Sequence, residues 1–437
     1  MGTNAIMKRA NLMVLWAVMG LAMLTHIVYI AQNQSHLSDD TASYLDPANN
    51  IRSGLGFVNN AHQPEIWRPP GYPLVLALFQ SKPLQLDYLV PVQHILCILL
   101  AVAVAAFGLR ITGNSMIAMV AGSVLSLDMA TILVADLLLS EVIFTTCIAL
   151  ACWILHSAIS KPVCNLLEIA VAGLLAGFAV LVRPVGILYF IPLLIYILIA
   201  LKRHVLRPVL VFAVCSLFFP LLLAGRNFME ARYFGVSTTG EYNLLANRAA
   251  GAVAIQQPGS YFDNVVAVRH ELLSQTCADF KRVHNQDCAP ILEAPAQQAA
   301  FFAHAGTRII SKNLPGYIQS VVVGAAYTMF GGGAEALMRI GHFSSRTAEY
   351  IVLAVTIPEA CLALLGCWYW FQHDRALCSL FVLTVLYFLL ISSGAEAYSR
   401  YRVPVMPMYA LLIGGGAAIA GQRIKALLLR TVFSYGA

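Results

Sequence analysis

The sequence predicts an all-α protein that crosses a membrane many times. Three observations carry that prediction. The chain is 59% hydrophobic, only 11% of its residues are charged, and its mean hydropathy is +0.75, where a soluble protein carries roughly 25% charged residues. Its apolar runs approach the ~20 residues that a membrane-spanning helix needs, not the ~10 alternating residues of a barrel strand. The runs recur from end to end, so 1–437 reads as one integral membrane domain.

The first apolar run, Asn11–Ile30, follows Lys8 and Arg9. It is too long for a signal-peptide core and lacks a small-residue cleavage site, so it reads as a retained span. Further runs at Leu86–Leu109, Met116–Val134, Leu137–Ile159, Leu166–Val182, Gly186–Leu201, Val205–Leu223, Tyr350–Phe371, Ala376–Ser392 and Val403–Ala420 bring the expected number of spans to about ten. With alternating spans, Lys8, Arg9, Arg110, Lys161, Lys202, Arg203, Arg207, Arg375, Arg423, Lys425 and Arg430 fall on one side. Short loops rich in Lys and Arg stay cytoplasmic. Two polar regions are then outside: a first loop at 31–85 and a large one at 226–349. The run Leu314–Phe330, ended by Gly331-Gly332-Gly333, would put Arg375 on the wrong side if it spanned. It is read as a helix on the outer surface or dipping in and out.

The net charge of +6 sits mostly in short loops and does not indicate nucleic acid. Most of the ten cysteines lie in apolar runs, where a thiol behaves as a small hydrophobe. Cys277 and Cys288 share the large polar loop. They either pair there, if it faces an oxidising compartment, or stay as two free thiols. The histidines have no zinc-site spacing, and no P-loop, dinucleotide fingerprint or nucleophile elbow occurs.

The first loop is the chemically informative stretch. Asp39 and Asp40 are adjacent, with Tyr44 four residues on, and the loop closes on Arg68-Pro69-Pro70-Gly71-Tyr72-Pro73. Proline fixes this backbone and glycine permits what other residues cannot, so Arg68 is held in a defined place. Arg68, Arg183, Arg226, Arg400 and Arg402 break the positive-inside pattern by falling at the outer mouth. An arginine near hydrocarbon needs an anion or a water-filled cavity, and guanidinium matches phosphate with two parallel hydrogen bonds. Each one alone also fits snorkelling to lipid headgroups; five at one face beside two aspartates favour a shared anionic ligand. Glu141 opens the fourth run, with Asp136 just before it. That placement suits a site residue and equally an acid on a helix dipole.

Asp40-Thr41-Ala42-Ser43-Tyr44, Ala48, Gly54-Leu55-Gly56-Phe57, Arg68-Pro69-Pro70-Gly71-Tyr72-Pro73, Leu139-Ser140-Glu141, Leu181-Val182-Arg183-Pro184, Gly225-Arg226-Asn227 and Ser399-Arg400-Tyr401-Arg402-Val403-Pro404 occur in that order. Together they resemble the GT-C superfamily of membrane glycosyltransferases that use lipid-phosphate-linked sugars. The similarity is nearest to its dolichyl-phosphate-mannose-protein mannosyltransferase-like and lipid A aminoarabinose transferase-like branch. The resemblance implies a GT-C-like fold; from the residues, Pro69–Phe79 in the first loop, like Leu314–Phe330 in the large one, reads as an outer-surface helix. The resemblance also implies an inverting transfer of a hexose or pentose from a polyprenyl phosphate to the hydroxyl of a lipid, glycan or protein; the Lys and Arg pattern puts the site at the outer face, and with no retrieval signal visible the expected location is a bacterial inner membrane.

In such enzymes the Asp of the first loop is the base, often as Asp-Glu-x-x-aromatic. Asp40 matches the Asp and Tyr44 the aromatic; Thr41 replaces the Glu, and Asp39 precedes. That departure leaves open which carboxylate acts and whether a divalent metal takes part. Arg400, Arg402, Arg226, Arg183 and Arg68 are the residues expected to hold the donor phosphate. Tyr44, Tyr72 and Asn227 are expected to position substrate, and Glu141 to orient the acceptor or Asp40. Two other readings stand beside this one. An O-antigen polymerase or ligase would keep its arginines in a late periplasmic loop. A lipid-linked sugar transporter or flippase would show repeats and mid-membrane polar groups.

Overall fold

The computed structural model describes residues 3–32, 37–38, 40–79, 89–201, 203–341 and 343–434. Among these the regular secondary structure is all helical, joined by turns and irregular stretches, with one isolated antiparallel bridge between Val58 and Pro64. The helices are α1 (Thr3–Gln32), α2 (Thr41–Arg52), α3 (Gly71–Phe79), α4 (Leu89–Thr112), α5 (Ser115–Leu127), α6 (Met129–Asp136), α7 (Glu141–Ile159), α8 (Leu166–Val182), α9 (Phe190–Ala200) and α10 (Leu206–Ala231). After them come α11 (Thr239–Asn243), α12 (Ala250–Ala254), α13 (Tyr261–His284), α14 (Ala296–Lys312), α15 (Leu314–Phe330), α16 (Ala334–Gly341), α17 (Ser345–His373), α18 (Arg375–Ser392) and α19 (Met406–Ser434).

Seven of the described helices are long and apolar enough to cross a membrane, and up to nine spans result if each of two bent pairs counts as one. The protein is thus a multi-pass membrane protein. The run Met116–Val134, expected as one span, is a bent pair: α5 and α6 meet at 49°. The cause is Asp128. Its backbone leaves the helix, and its carboxylate accepts from the Thr131 N–H (2.8 Å) and hydroxyl (2.6 Å) to start α6 afresh. A short polar side chain that bonds its own backbone competes with helix continuation. The run that opens at Leu137 becomes helical only at Glu141, while α8 and the stretch Pro184–Ala200 are shorter apolar helices.

α15 and α16 form the other bent pair, turned by 40° at the triple glycine. α15 buries only Gly316, Ser320, Gly324 and Thr328. Small residues at every fourth position let one face of a helix lie close to its neighbours.

The last helix is the axis of the bundle. Eighty-nine per cent of its most apolar window is buried, against 22% for α17. α19 packs on α4, α5, α7, α17 and α18, while α8 lies between α7 and α10. Close approach along the α17–α19 seam depends on Gly366, where an added Cβ would stand 1.7 Å from the Leu412 carbonyl oxygen. In the large loop region, a disulfide ties Cys277 on α13 to Cys288 ahead of α14. The starts of α2 and α7, the end of α8 and the 3-10 turn Ser399–Val405 before α19 meet at one end of the bundle. That meeting point is the site.

Candidate active site

Asp40 stands at the start of α2, which carries Ser43 and Tyr44 one turn on. Arg68 reaches it from the far end of the same loop. The Glu65 carboxylate accepts the backbone N–H groups of Trp67 (2.6 Å) and Arg68 (2.9 Å), which fixes the turn. Gly71 then lies against α8, where any Cβ would come within 2.5 Å of the Leu181 carbonyl oxygen. These restraints aim the Arg68 side chain at α2. It donates to Ser43 Oγ (2.9 Å), the Tyr44 hydroxyl (3.2 Å) and Asp40 Oδ1 (2.8 Å), with its guanidinium 4.4 Å from the Tyr44 ring centre.

Arg400 arrives from the other end of the chain and donates to the second oxygen, Asp40 Oδ2, at 2.6 Å. Its Nε is 3.7 Å from Glu141 Oε1, and Glu141 is itself ion-paired with Arg183. Arg183 also donates to Ser140 Oγ (3.3 Å), which contacts the Tyr44 hydroxyl at 3.1 Å. The result is a continuous chain of charged contacts that runs Arg68, Asp40, Arg400, Glu141, Arg183. Burial pushes the Asp40 carboxyl up, but Arg400 and Arg68 outweigh it and hold the group down at about 2. Glu65 behaves oppositely: burial drives its carboxyl up to about 7 against the pull of the two N–H donors and the nearby arginines.

These groups line one wall of a cavity of about 770 Å³, to which Asp40, Tyr44, Arg68, Arg183, Arg400 and Tyr401 contribute. Apolar residues of α6 and of the Pro184–Ile187 stretch line it as well, so the cavity joins a polar pocket to a hydrocarbon-like surface. Such a mixed lining fits a ligand with a charged head and an apolar tail.

The remaining residues singled out in the sequence lie elsewhere. Glu141 is fully buried behind the wall. Arg402 faces away, pairing with Asp128 (2.7 Å) and Glu359 (3.4 Å) and donating to the Met329 carbonyl (3.0 Å). Arg226 braces the first loop by donating to the carbonyls of Glu65 and Phe57, each at 2.7 Å, and pairs with Glu230 at the same distance. Asn227 is buried and donates to Gly235 O. Tyr72 is buried, donates to Gln93 and meets the Tyr44 ring edge-on. Asp39 lies outside the described residues.

No group of three or more His, Cys, Asp or Glu that could hold a metal ion occurs among the described residues. Both oxygens of Asp40 are engaged by guanidinium groups. Glu65, Arg248, Arg269 and Glu396 carry no motif in the sequence, and the last three line the cavity. Ser140 has a signal in the sequence only through Leu139-Ser140-Glu141.

The helical membrane bundle, with this first loop and a cationic pocket at one end, is the GT-C-like fold that the sequence leads one to expect. A family model described as dolichyl-phosphate-mannose-protein mannosyltransferase matches residues 68–224. No curated protein matches the chain. Among solved structures, the chain is similar to the archaeal oligosaccharyltransferase AglB from Archaeoglobus fulgidus in complex with an inhibitory peptide and a dolichol-phosphate. That match has 11% identity and a TM-score of 0.52, over 96% of this chain and 52% of that one. The apo form of the same oligosaccharyltransferase gives 11% identity and a TM-score of 0.54, over 97% and 52%. The chain therefore spans about half the length of these relatives. ArnT from Cupriavidus metallidurans bound to undecaprenyl phosphate matches at 14% identity over 93% of this chain and 80% of that one, with a TM-score of 0.39, too loose a likeness to argue from.

Proposed function

We propose that this protein is a membrane glycosyltransferase that moves a sugar from a polyprenyl phosphate to an acceptor hydroxyl. The observation that carries the reading is Asp40, held through both oxygens by Arg68 and Arg400 in the wall of a cavity that also takes Arg183. The same fold in an oligosaccharyltransferase holding a dolichol-phosphate supports it.

In this reading the donor phosphate docks on Arg400, Arg183 and Arg68, with its lipid tail along the apolar side of the cavity. The phosphate takes guanidinium hydrogen bonds that Asp40 holds in the free protein. With a partner withdrawn, the Asp40 carboxyl rises from about 2 toward the range of a useful base. Asp40 then accepts the proton of the acceptor hydroxyl as that oxygen bonds to the anomeric carbon from the face opposite the phosphate. The anomeric C–O bond to phosphate breaks, its electron pair leaves with the polyprenyl phosphate, and the configuration inverts. The arginines stabilise the charge growing on the leaving group. Glu141 acts through Arg183 and Arg400 as a positioning residue.

The Lys and Arg distribution supports a site facing the periplasm of a bacterial inner membrane, with 31–85 and 226–349 outside the cytoplasm. The acceptor, whether lipid, glycan or protein, belongs to the cell envelope. The test is release of bare polyprenyl phosphate from sugar-bearing lipid by the purified protein in nanodiscs. Wild type is expected to turn over, and Arg400→Ala to bind bare undecaprenyl phosphate at least tenfold more weakly. Undiminished lipid-phosphate binding by Arg400→Ala would defeat the proposal.

A further inference from the structure

The cavity has a second polar face that the transfer mechanism does not use. Glu396 lines it while only 7% exposed. One oxygen accepts from Arg248 Nε at 2.9 Å; the other, Oε2, has no hydrogen-bond partner among the described residues. Arg248 is anchored by a hydrogen bond from Nη2 to the Ile391 carbonyl at 2.6 Å. Arg269 lines the same face, held by one hydrogen bond from Nε to the Ala246 carbonyl at 3.0 Å. Asn243 and Asn247 stand alongside, on and just before a π-helical turn at Leu244–Ala249. Trp67 and Tyr242, in edge-to-face contact at 5.5 Å, also border the cavity.

A buried carboxylate oxygen without a donor is costly, so its presence at a cavity wall asks for a ligand that donates. An ionised phosphate has no proton to give and would be repelled. An ammonium could donate to Glu396 but could not accept from Arg269. A hydroxyl does both, and a sugar ring carries several. The ring in question is the donor's. Its anomeric carbon is bonded to the phosphate, so it must share the cavity with Asp40, whereas an acceptor need bring only one hydroxyl. Glu396 also precedes Arg400 by four residues, a backbone reach of at most about 14 Å, so one short segment grips the phosphate and faces the ring.

We propose that Glu396, oriented by Arg248 and assisted by Arg269, binds the hydroxyl groups of the donor sugar and sets which sugar is used. This inference rests on the lipid-phosphate reading, and its test separates the two. Binding of undecaprenyl phosphate and of its gluco-, manno- and galactosyl forms is measured for wild type, Glu396→Gln and Arg269→Gln in nanodiscs. The Gln variant keeps an acceptor for Arg248 while turning the free oxygen into a donor; Arg269→Gln, at a half-exposed position, covers the case in which Glu396→Gln does not fold. Wild type is expected to bind at least one sugar-bearing lipid tenfold or more tighter than the bare lipid. Each folded variant should shrink that preference to within twofold, with bare-lipid affinity unchanged within twofold. A wild type without sugar preference, or variants that retain it, overturns the inference and leaves the phosphate reading intact. Failure of wild type to bind even the bare lipid overturns both.

Discussion

In the proposed reaction Asp40 and the donor phosphate compete for the same guanidinium groups, and this makes the Asp40→Asn variant unusually informative. Folding carries the Asp40 carboxyl from its ordinary 3.8 to about 2, a gap of about 2.5 kcal/mol at ~1.4 kcal/mol per unit. The side chain is 32% exposed, so solvent screening reduces what that gap delivers to about 1 kcal/mol. Because the folded value is depressed, this stabilisation is full above about pH 4 and is lost as pH falls through 2. Replacing the carboxylate by an amide forfeits it near neutral pH and releases Arg68 and Arg400. About 1 kcal/mol of released competition corresponds to roughly fivefold in affinity. Asp40→Asn should therefore bind bare undecaprenyl phosphate about fivefold more tightly while turnover falls by about 10²–10⁴, the usual worth of a general base. Nanodisc binding isotherms and release of polyprenyl phosphate from sugar-bearing lipid read the two quantities. Turnover within threefold of wild type, or weaker binding of the bare lipid, would refute the competition argument.

Three other outcomes follow from the contacts. Glu65 is raised from 4.5 to about 7 by burial, so the folded state binds its proton more tightly, and stability falls as pH rises from about 4.5 to 7. Thermal midpoints in detergent should drop over that window for wild type and stay level for Glu65→Gln. Arg402→Ala leaves the nearly solvent-free Asp128 carboxylate, and Glu359 beside it, without their shared cation and should cost about 3–5 kcal/mol, read as a lowered melting midpoint; because Arg402 fastens the turn that carries Arg400, the surviving folded fraction should bind bare lipid phosphate more weakly than wild type, though less so than Arg400→Ala. Gly366→Ala sets a methyl 1.7 Å from the Leu412 carbonyl oxygen and must push α17 off α19, a loss of about 1–3 kcal/mol or more visible as a lowered melting midpoint or as aggregation on extraction.

The helical class was readable because long apolar runs permit little else in a bilayer. Arg68 was readable because proline and glycine restrict the turn it opens, and Asp40 and Tyr44 because a carboxylate with an aromatic four residues on stands out in a polar stretch between apolar runs. Other assignments depended on which way a side chain points. Arg400 and Arg402 are two residues apart in a 3-10 turn, where successive side chains leave on different sides. One reaches Asp40 and the other Asp128, and no spacing in the sequence separates them. Arg226 looks like an anion ligand until its donors are traced to the carbonyls of Glu65 and Phe57. The break at Asp128 was invisible because one acid among apolar residues reads as a tolerated interruption. Glu396, Arg248 and Arg269 sit in irregular or amphipathic stretches, where a charge turned inward has the same surroundings in sequence as one turned to water.

The buried pairing of Arg402 bears on how the pocket meets a ligand. It fastens the turn carrying Arg400 to the α5–α6 junction, to α15 and to α17, so this grip is set before anything arrives. A receptor built in advance loses little freedom when occupied. Small tail-less phosphate esters should for that reason lodge beside Arg400 by themselves, and inhibitor searches could begin from water-soluble heads instead of long isoprenoids.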